Sequence, residues 1–145
     1  MGQGSSKQKH FRKDLYPHGR SSFRVEELLQ SAAYQAWVME YEKTADFKQR
    51  QVLPEKLPRE VERDLLDRVV QDHLTVVQEA VRQALSTFTE PKYETLTIEG
   101  KDLQLHPIST QECEIYGPHR TKEPTLVGSM NANGEFLTTT FLHSN

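Results

Sequence analysis

The sequence predicts an α+β fold in which two helices precede short β-hairpins. Apolar residues recur every three or four positions over residues 25–48 and again over residues 59–88, the period of amphipathic helices. From residue 93 onward, apolar and polar residues alternate as in β-strands, and glycine or asparagine is available for turns. Residues 1–24 are polar and basic, and they predict a disordered leader.

The first helix is predicted from Val25 to about Lys48. Glu26 and Glu27 lie in its first turn, where carboxylates favour the positive end of the helix dipole. Trp37 lies on its apolar face, and we interpret this side chain as a packing anchor, in a core or at an interface, rather than as a ligand-binding aromatic.

The second helix, long and amphipathic, is predicted from about Arg59 to Phe88 after a break at Pro54 and Pro58. As one helix it would be roughly 45 Å long. The first helix cannot cover that length, so the C-terminal segment, a partner protein or a second copy is expected to cover the rest. The residues proposed for such an interface are Trp37, Leu66, Val70, Leu74, Val77 and Val81.

The C-terminal segment predicts two hairpins. The first has its turn at Gly100, and the second turns over residues 131–134. Residues 109–124 are polar, contain two prolines, and predict a loop. We expect a four-stranded sheet on the helix pair. The alternative is an extended tail that gains strand structure only against a partner. The predicted organisation is a leader over 1–24, a helical hairpin over 25–88 and a β segment over 89–145.

Composition indicates one domain's worth of chain with a modest core. Of 145 residues, 35% are hydrophobic, and the mean hydropathy is −0.72. Cys113 is the only cysteine, so no intrachain disulfide can form and a reducing compartment is expected. There is no apolar run of the 18 residues or more that crosses a bilayer. These features predict a cytoplasmic protein, or one held at the cytosolic face of a membrane.

Charge is distributed unevenly along the chain. Residues 1–24 carry six Lys or Arg against Asp14 alone, a net charge of +5, whereas residues 25–145 carry a net charge of −8. An anionic membrane attracts the first segment and repels the second. The leader is therefore expected to act as a tether that holds the acidic body away from the surface.

The first residues carry the clearest functional motif. Removal of Met1 exposes Gly2, and Met-Gly-x-x-x-Ser, with Ser6 in the last position, is the frame for N-myristoylation. The acyl group is transferred to a free α-amine, so the glycine must be terminal. This stretch resembles the N-termini of acylated peripheral membrane proteins such as Src-type kinases and retroviral matrix proteins. The resemblance covers about a tenth of the chain and implies an anchor only.

A single myristoyl chain binds membranes reversibly, with a partition constant of about 10⁴ M⁻¹, so a second signal is required. Basic side chains are expected to supply it, each contributing roughly 1 kcal/mol near an anionic leaflet. These residues are Lys7, Lys9, Arg12 and Lys13. Ser5 and Ser6 are candidate phosphorylation sites, because added negative charge would offset the lysines and weaken retention.

Known catalytic patterns are absent from the sequence. The six histidines lack metal-ligand spacing, and neither a phosphate-binding glycine loop nor a nucleophile elbow occurs. Glu112 and Glu114 flank Cys113 and disfavour its thiolate. Nucleic-acid binding is not expected, because basic excess is confined to the leader. We therefore expect no cofactor, no metal and no enzymatic activity.

These observations predict an N-myristoylated peripheral membrane adaptor or scaffold. It would contact an anionic membrane through the leader and bind a protein partner, or a second copy, through the long helix. The alternative is a structural component of a larger cytoskeletal or ciliary assembly, with an acyl group used for delivery. Low hydrophobicity and a long uncovered helix fit both hypotheses.

Overall fold

The α+β class predicted from the sequence is confirmed. The computed structural model describes residues 15–20, 22–118 and 124–138. The chain divides into two compact units, Met1–Val61 and Glu62–Asn145, called here the N-terminal unit and the C-terminal unit. The finer division of the chain into three segments stays a prediction.

The N-terminal unit is built from short helices. A 3-10 helix, Pro17–Arg20, precedes α1 (Val25–Gln30), α2 (Ala32–Tyr41) and α3 (Ala45–Arg50). Helix α1 packs against both the 3-10 helix and α2. Among the described residues of this unit, the buried apolar side chains are Phe23, Leu28, Tyr34, Val38, Leu53 and Val61.

The prediction of one helix over residues 25–48 is wrong, because two hydroxyl side chains start new helices within it. Ser31 has an extended backbone (φ −85°, ψ 119°), and its side chain accepts a hydrogen bond from the Tyr34 N–H at 3.1 Å. Thr44 caps α3 in the same way, accepting from the Phe47 N–H at 3.2 Å. Each cap satisfies a backbone donor that the start of a helix leaves unpaired.

The single long helix predicted over residues 59–88 is also wrong. It is divided into α4 (Arg59–Asp72) and α5 (Leu74–Ser86), giving five α-helices in the described residues where two were predicted. His73 lies at the break, with φ −128° and ψ 38°. Its Nδ1 lies 3.1 Å from the Val69 carbonyl oxygen, and its Nε2 lies 3.3 Å from the Glu99 carboxylate. These contacts fix the His73 side chain at the break between α4 and α5.

The C-terminal unit contains a five-stranded antiparallel sheet in which each strand pairs with its neighbours in sequence. The strands are β1 (Glu94–Ile98), β2 (Lys101–Pro107), β3 (Glu112–Tyr116), β4 (Leu126–Asn131) and β5 (Phe136–Thr138). Glu99 (φ 51°) and Gly100 (φ 81°) form the two-residue turn between β1 and β2. Positive φ at both positions is typical of a type I′ hairpin.

The predicted loop over residues 109–124 contains β3, so that part of the prediction is wrong. Cys113 and Ile115 are fully buried on the inner face of the strand, and the glutamates beside them face outward. The strand is central, paired with both β2 and β4. Because its outward residues are glutamates, this central strand has a polar composition that resembles that of a loop.

Helix α5 covers the inner face of the sheet, where it packs against β1, β2 and β3. Val77, Val81 and Leu85 of α5 are buried, as are Leu103 and Leu105 of β2. Alternation in the strands places these leucines on one face and polar residues on the other. We call the face opposite α5 the outer face.

Helix α4 is joined to β4 and to the segment around it by specific contacts. The Arg63 guanidinium donates to the Leu126 carbonyl at 3.2 Å, and the Thr125 hydroxyl donates to the Glu62 carboxylate at 2.6 Å. A Cβ on Gly117 would lie 2.6 Å from Leu66 Cδ1. Any larger residue at this position would require the Leu66 side chain to shift.

A candidate docking surface

The predicted lipidation and membrane-binding residues lie outside the described part of the chain. They are Gly2, Ser5, Ser6, Lys7, Lys9, Arg12 and Lys13. Their roles stay predictions.

The predicted interface residues on the second helix lie mostly inside the C-terminal unit. Leu74 is half-buried, whereas the other four are at most 1% exposed. These four are Leu66, Val70, Val77 and Val81. A partner interface on this stripe stays a prediction, but the apolar surface that suggested it is already buried.

Trp37 lies in an aromatic cluster of the N-terminal unit. Its ring is 5.6 Å from His18, 5.7 Å from Tyr34 and 6.1 Å from Tyr41, measured between centroids. The indole is half-buried, which fits the interpretation of this residue as a packing anchor.

His18 is the buried polar centre of this cluster. Its Nε2 lies 2.6 Å from the Pro54 carbonyl oxygen, and its Nδ1 lies 3.3 Å from the Tyr34 hydroxyl. A neutral imidazole with its proton on Nε2 satisfies both contacts, donating to Pro54 and accepting from Tyr34. Burial lowers the pKa of His18, despite the opposing effect of the Pro54 hydrogen bond. The imidazole therefore joins two segments of the unit while remaining neutral.

The outer face of the sheet carries a row of aromatic, polar and apolar side chains, of which Ser129 is buried. Strand register places His106, Glu114, Ser129 and Leu137 side by side on consecutive strands β2 to β5. Tyr93, the residue before β1, extends this row, since its ring centroid is 4.6 Å from that of His106. We call these five residues the outer row.

Aromatic rings occupy the β1 end of the outer row. Tyr116 joins Tyr93 and His106, with ring centroids 6.1 Å and 6.2 Å from theirs. The Tyr116 hydroxyl donates a hydrogen bond of 2.8 Å to Glu114. Burial, and then the Glu114 carboxylate, raise the pKa of this hydroxyl, so it remains a donor. Tyr93 remains 43% exposed.

Carboxylates occupy the middle of the face. Glu112 accepts a hydrogen bond of 2.8 Å from the Ser129 hydroxyl, and Glu114 accepts from Tyr116. No salt bridge joins Glu112, Glu114 or the exposed Asp102 to any described residue. Among the described residues, their hydrogen-bond donors are neutral hydroxyl groups. The outer face therefore has a negative field without a fixed counter-charge among the described residues.

Apolar side chains border this charge. Among the described residues of the C-terminal unit, four large hydrophobic side chains are exposed: Val76, Tyr93, Ile108 and Leu137. Tyr93 and Leu137 end the outer row, and the alternation of β2 places Ile108 on the same side. Exposed aromatic and apolar side chains are enriched at protein-binding surfaces, although carboxylates usually lie at the rim of such surfaces and not in the middle.

The outer row does not form a nucleophilic site. Although Ser129 and His106 lie on the same face, the Ser129 hydroxyl donates to Glu112, and His106 Nδ1 has no hydrogen-bond partner in the described chain. A serine nucleophile requires a base within hydrogen-bond reach. Burial raises the pKa of the Cys113 thiol to about 12, so it stays protonated. No cluster of metal-binding side chains occurs in the described ranges.

Sequence reasoning missed the outer face because β3 was predicted to be a loop. Without that strand, Tyr93, His106 and Tyr116 had no common surface. The available signal was the alternation in Glu112-Cys-Glu-Ile-Tyr116, in which buried and outward residues follow each other. Five residues between polar, proline-containing segments were too few to distinguish a central strand from a loop.

No protein family, curated protein or solved structure matches this chain. In the described residues, no helix has the length and apolar character needed to cross a membrane.

Proposed function

We propose that this protein is a non-enzymatic, N-myristoylated peripheral membrane adaptor that docks a protein partner at the cytosolic face of a membrane. The observation that carries the proposal is the first stretch of the sequence, in which Gly2 and Ser6 stand in the acylation frame and four basic residues follow within thirteen positions. The acyl chain supplies the first membrane signal, and the basic side chains supply the second.

The charges of the two units support this division of roles. The N-terminal unit has eleven Lys or Arg against eight Asp or Glu, a net charge of +3, and the C-terminal unit has seven against thirteen, a net charge of −6. An anionic leaflet attracts the unit that carries Gly2 and repels the other. The leader acts as the tether, and the sheet-bearing unit presents the partner-binding surface.

The organisation of the C-terminal unit favours an adaptor over a lattice component. Among the described residues of this unit, fifteen apolar residues are buried, and its outer face combines the exposed Tyr93 with carboxylates. A unit with its own core is expected to unfold cooperatively without a lattice.

The chemistry of the anchor is tested by intact mass. The chain is co-expressed with an N-myristoyltransferase beside a Gly2→Ala control. A gain of about 210 Da that the control lacks is expected, since one myristoyl amide forms at the terminal glycine. An unchanged mass would remove the observation that carries the proposal.

Electrostatic retention is tested with the acylated protein and anionic vesicles. The pair Lys7→Glu with Lys9→Glu should reduce vesicle binding by at least tenfold, because two attractions of roughly 1 kcal/mol each become repulsions. The matched control reverses two exposed lysines elsewhere in the same unit, Lys48→Glu with Lys56→Glu. Equal binding by the test and control pairs would exclude the two-signal mechanism. A phosphate on Ser5 or Ser6 should weaken binding in the same direction.

A further inference from the structure

We propose that Asn133 is a site of spontaneous deamidation and that the turn between β4 and β5 controls the rate of this reaction. Asn133 is exposed, and the next residue is Gly134. Water is the only other reactant, so the reaction requires no partner protein, acyl group or membrane. It is therefore independent of the adaptor function proposed above.

The reaction is an attack of a backbone nitrogen on a side-chain amide, the group that makes asparagine a labile residue. The Gly134 nitrogen loses its proton to a base in solution and then attacks Cγ of Asn133, forming a five-membered succinimide ring. The side-chain nitrogen takes up a proton and leaves as ammonia. Water then opens the ring at either carbonyl carbon, giving aspartate or isoaspartate. Glycine in the second position hinders the attack least, because it has no side chain.

The closed turn opposes this attack. The Gly134 N–H donates to the Asn131 carbonyl oxygen at 2.9 Å, and the Asn133 N–H donates to Asn131 Oδ1 at 2.9 Å. These bonds, with φ 86° at Gly134, are typical of a type I turn followed by a glycine bulge. Ring closure requires the Gly134 nitrogen to rotate toward the Asn133 side chain, away from the ψ of about 0° that the third residue of a type I turn adopts. The hydrogen-bonded Gly134 N–H also keeps its proton until the turn opens.

Contacts from outside the turn keep it closed. The Gln78 side chain in α5 donates to the Gly134 carbonyl oxygen at 2.9 Å. The Ala132 N–H donates to the carbonyl oxygen of Gln111, which lies between β2 and β3, at 2.9 Å. Rotation at Asn133 would strain or break these contacts. We therefore expect the reaction to proceed through opened molecules, and slowly in the native chain.

Isoaspartate would not fit the closed turn. Its backbone passes through the former side chain and is one carbon longer, so the Gly134 N–H cannot stay opposite the Asn131 carbonyl oxygen. Among the described residues, β5 is an edge strand that pairs with β4 at three positions. The register of a hairpin is fixed by its turn. Formation of isoaspartate should therefore release β5 from the sheet.

The same turn contains an internal control. Asn131 is followed by Ala132, whose side chain hinders attack by the backbone nitrogen. The Asn131 side chain donates to the Glu135 carboxylate at 2.6 Å, and its oxygen accepts from two backbone N–H groups. Asn131 should therefore react slowly in both the native and the unfolded chain.

The site is tested by incubating the full chain at mildly alkaline pH, either native or unfolded in guanidinium chloride. Tandem mass spectrometry assigns the gain of about 1 Da to a residue, since an amide NH₂ becomes a hydroxyl. In guanidinium chloride, Asn133 should deamidate at least tenfold faster than in the native chain and at least tenfold faster than Asn131. Gly134→Ala should slow the reaction of the unfolded chain at least fivefold, because the added methyl group hinders the nitrogen.

Two variants of α5 test control by the turn. Gln78→Ala should accelerate deamidation of the native chain threefold or more, because one hydrogen bond that keeps the turn closed is lost. The same variant should leave the rate in guanidinium chloride unchanged. Gln83→Ala, at an exposed position of the same helix, is the matched control and should change neither rate. In the purified isoaspartate product, amide hydrogen exchange should be faster in β5, whereas β2 should stay protected.

Each contrary result overturns a stated part of the proposal. No mass gain at Asn133 in the unfolded chain would remove the site. Equal rates in the native and unfolded chains, or equal native rates in the two glutamine variants, would exclude control by the closed turn and its contact with α5. A full rate in unfolded Gly134→Ala would exclude attack by the backbone nitrogen. Unchanged exchange in β5 of the isoaspartate product would show that the strand does not depend on this turn.

Discussion

The two units of this chain use different means to hold a small structure together. The N-terminal unit has short helices, capped by Ser31 and Thr44, around an aromatic cluster, and its described part contains six buried apolar residues. The C-terminal unit has a helix-covered sheet, and its described part contains fifteen buried apolar residues. The N-terminal unit depends on individual hydrogen bonds, and the C-terminal unit depends on a continuous apolar layer. Substitutions should therefore act locally in the N-terminal unit and through packing in the C-terminal unit.

The largest expected effect is in the apolar layer. Leu103 is fully buried in β2, so Leu103→Ala should lower the free energy of unfolding by about 2–5 kcal/mol. The same change at Leu137, which is 42% exposed in β5, is the matched control and should cost less than about 1 kcal/mol. Urea unfolding followed by circular dichroism measures both. Similar costs at the two sites would contradict the contrast between buried and outer faces.

Close packing at Gly117 gives the next effect. An added Cβ would lie 2.6 Å from Leu66 Cδ1, so Gly117→Ala should cost about 1–3 kcal/mol through forced displacement of that side chain. The double variant with Leu66→Ala removes the clash, and its cost should be smaller than the sum of the two single costs. If the costs of the two single variants simply add in the double variant, the clash with Leu66 is not the reason why Gly117→Ala is destabilising.

In the N-terminal unit, loss of one cap should have a moderate effect. Ser31→Ala removes the acceptor for the Tyr34 N–H and should destabilise the unit by about 1 kcal/mol. Trp37, the only tryptophan, reports this unit through its fluorescence. Ser31→Asp restores an acceptor and should recover part of the loss. No difference between the alanine and aspartate variants would exclude the cap as the cause.

The smallest effect expected is a pH dependence centred on His18. Its folded pKa is lowered by burial, so between the folded value and the ordinary value of about 6.5 the unfolded chain binds more protons. The stability of the N-terminal unit is therefore full above about pH 6.5 and decreases as the pH falls below it. Urea midpoints from Trp37 fluorescence should show this slope in the native chain and lose it in His18→Gln. An equal slope in both would assign the effect to other groups.

Periodicity identified the apolar faces better than it identified where elements end. The residues that divide the predicted helices are Ser31, Thr44 and His73, and nothing in a 3.6-residue pattern separates a capping hydroxyl from a solvent-facing one. The turn at Gly100 was predictable because this position needs positive φ, a restriction that favours glycine. The outer face was not predictable, since it forms only when β3 pairs with β2 and β4.

The order of the strands also has a consequence for folding. Because β1 to β5 lie side by side in the order in which they are synthesised, every pairing joins segments close in sequence. Low contact order of this kind favours rapid folding, since little loop-closure entropy is lost before each pairing. During synthesis the sheet can extend one hairpin at a time, and β5 is the last of the described strands to be added. Truncation from the C-terminus should therefore remove an edge and leave the central pairings of β2 with β1 and β3 in place.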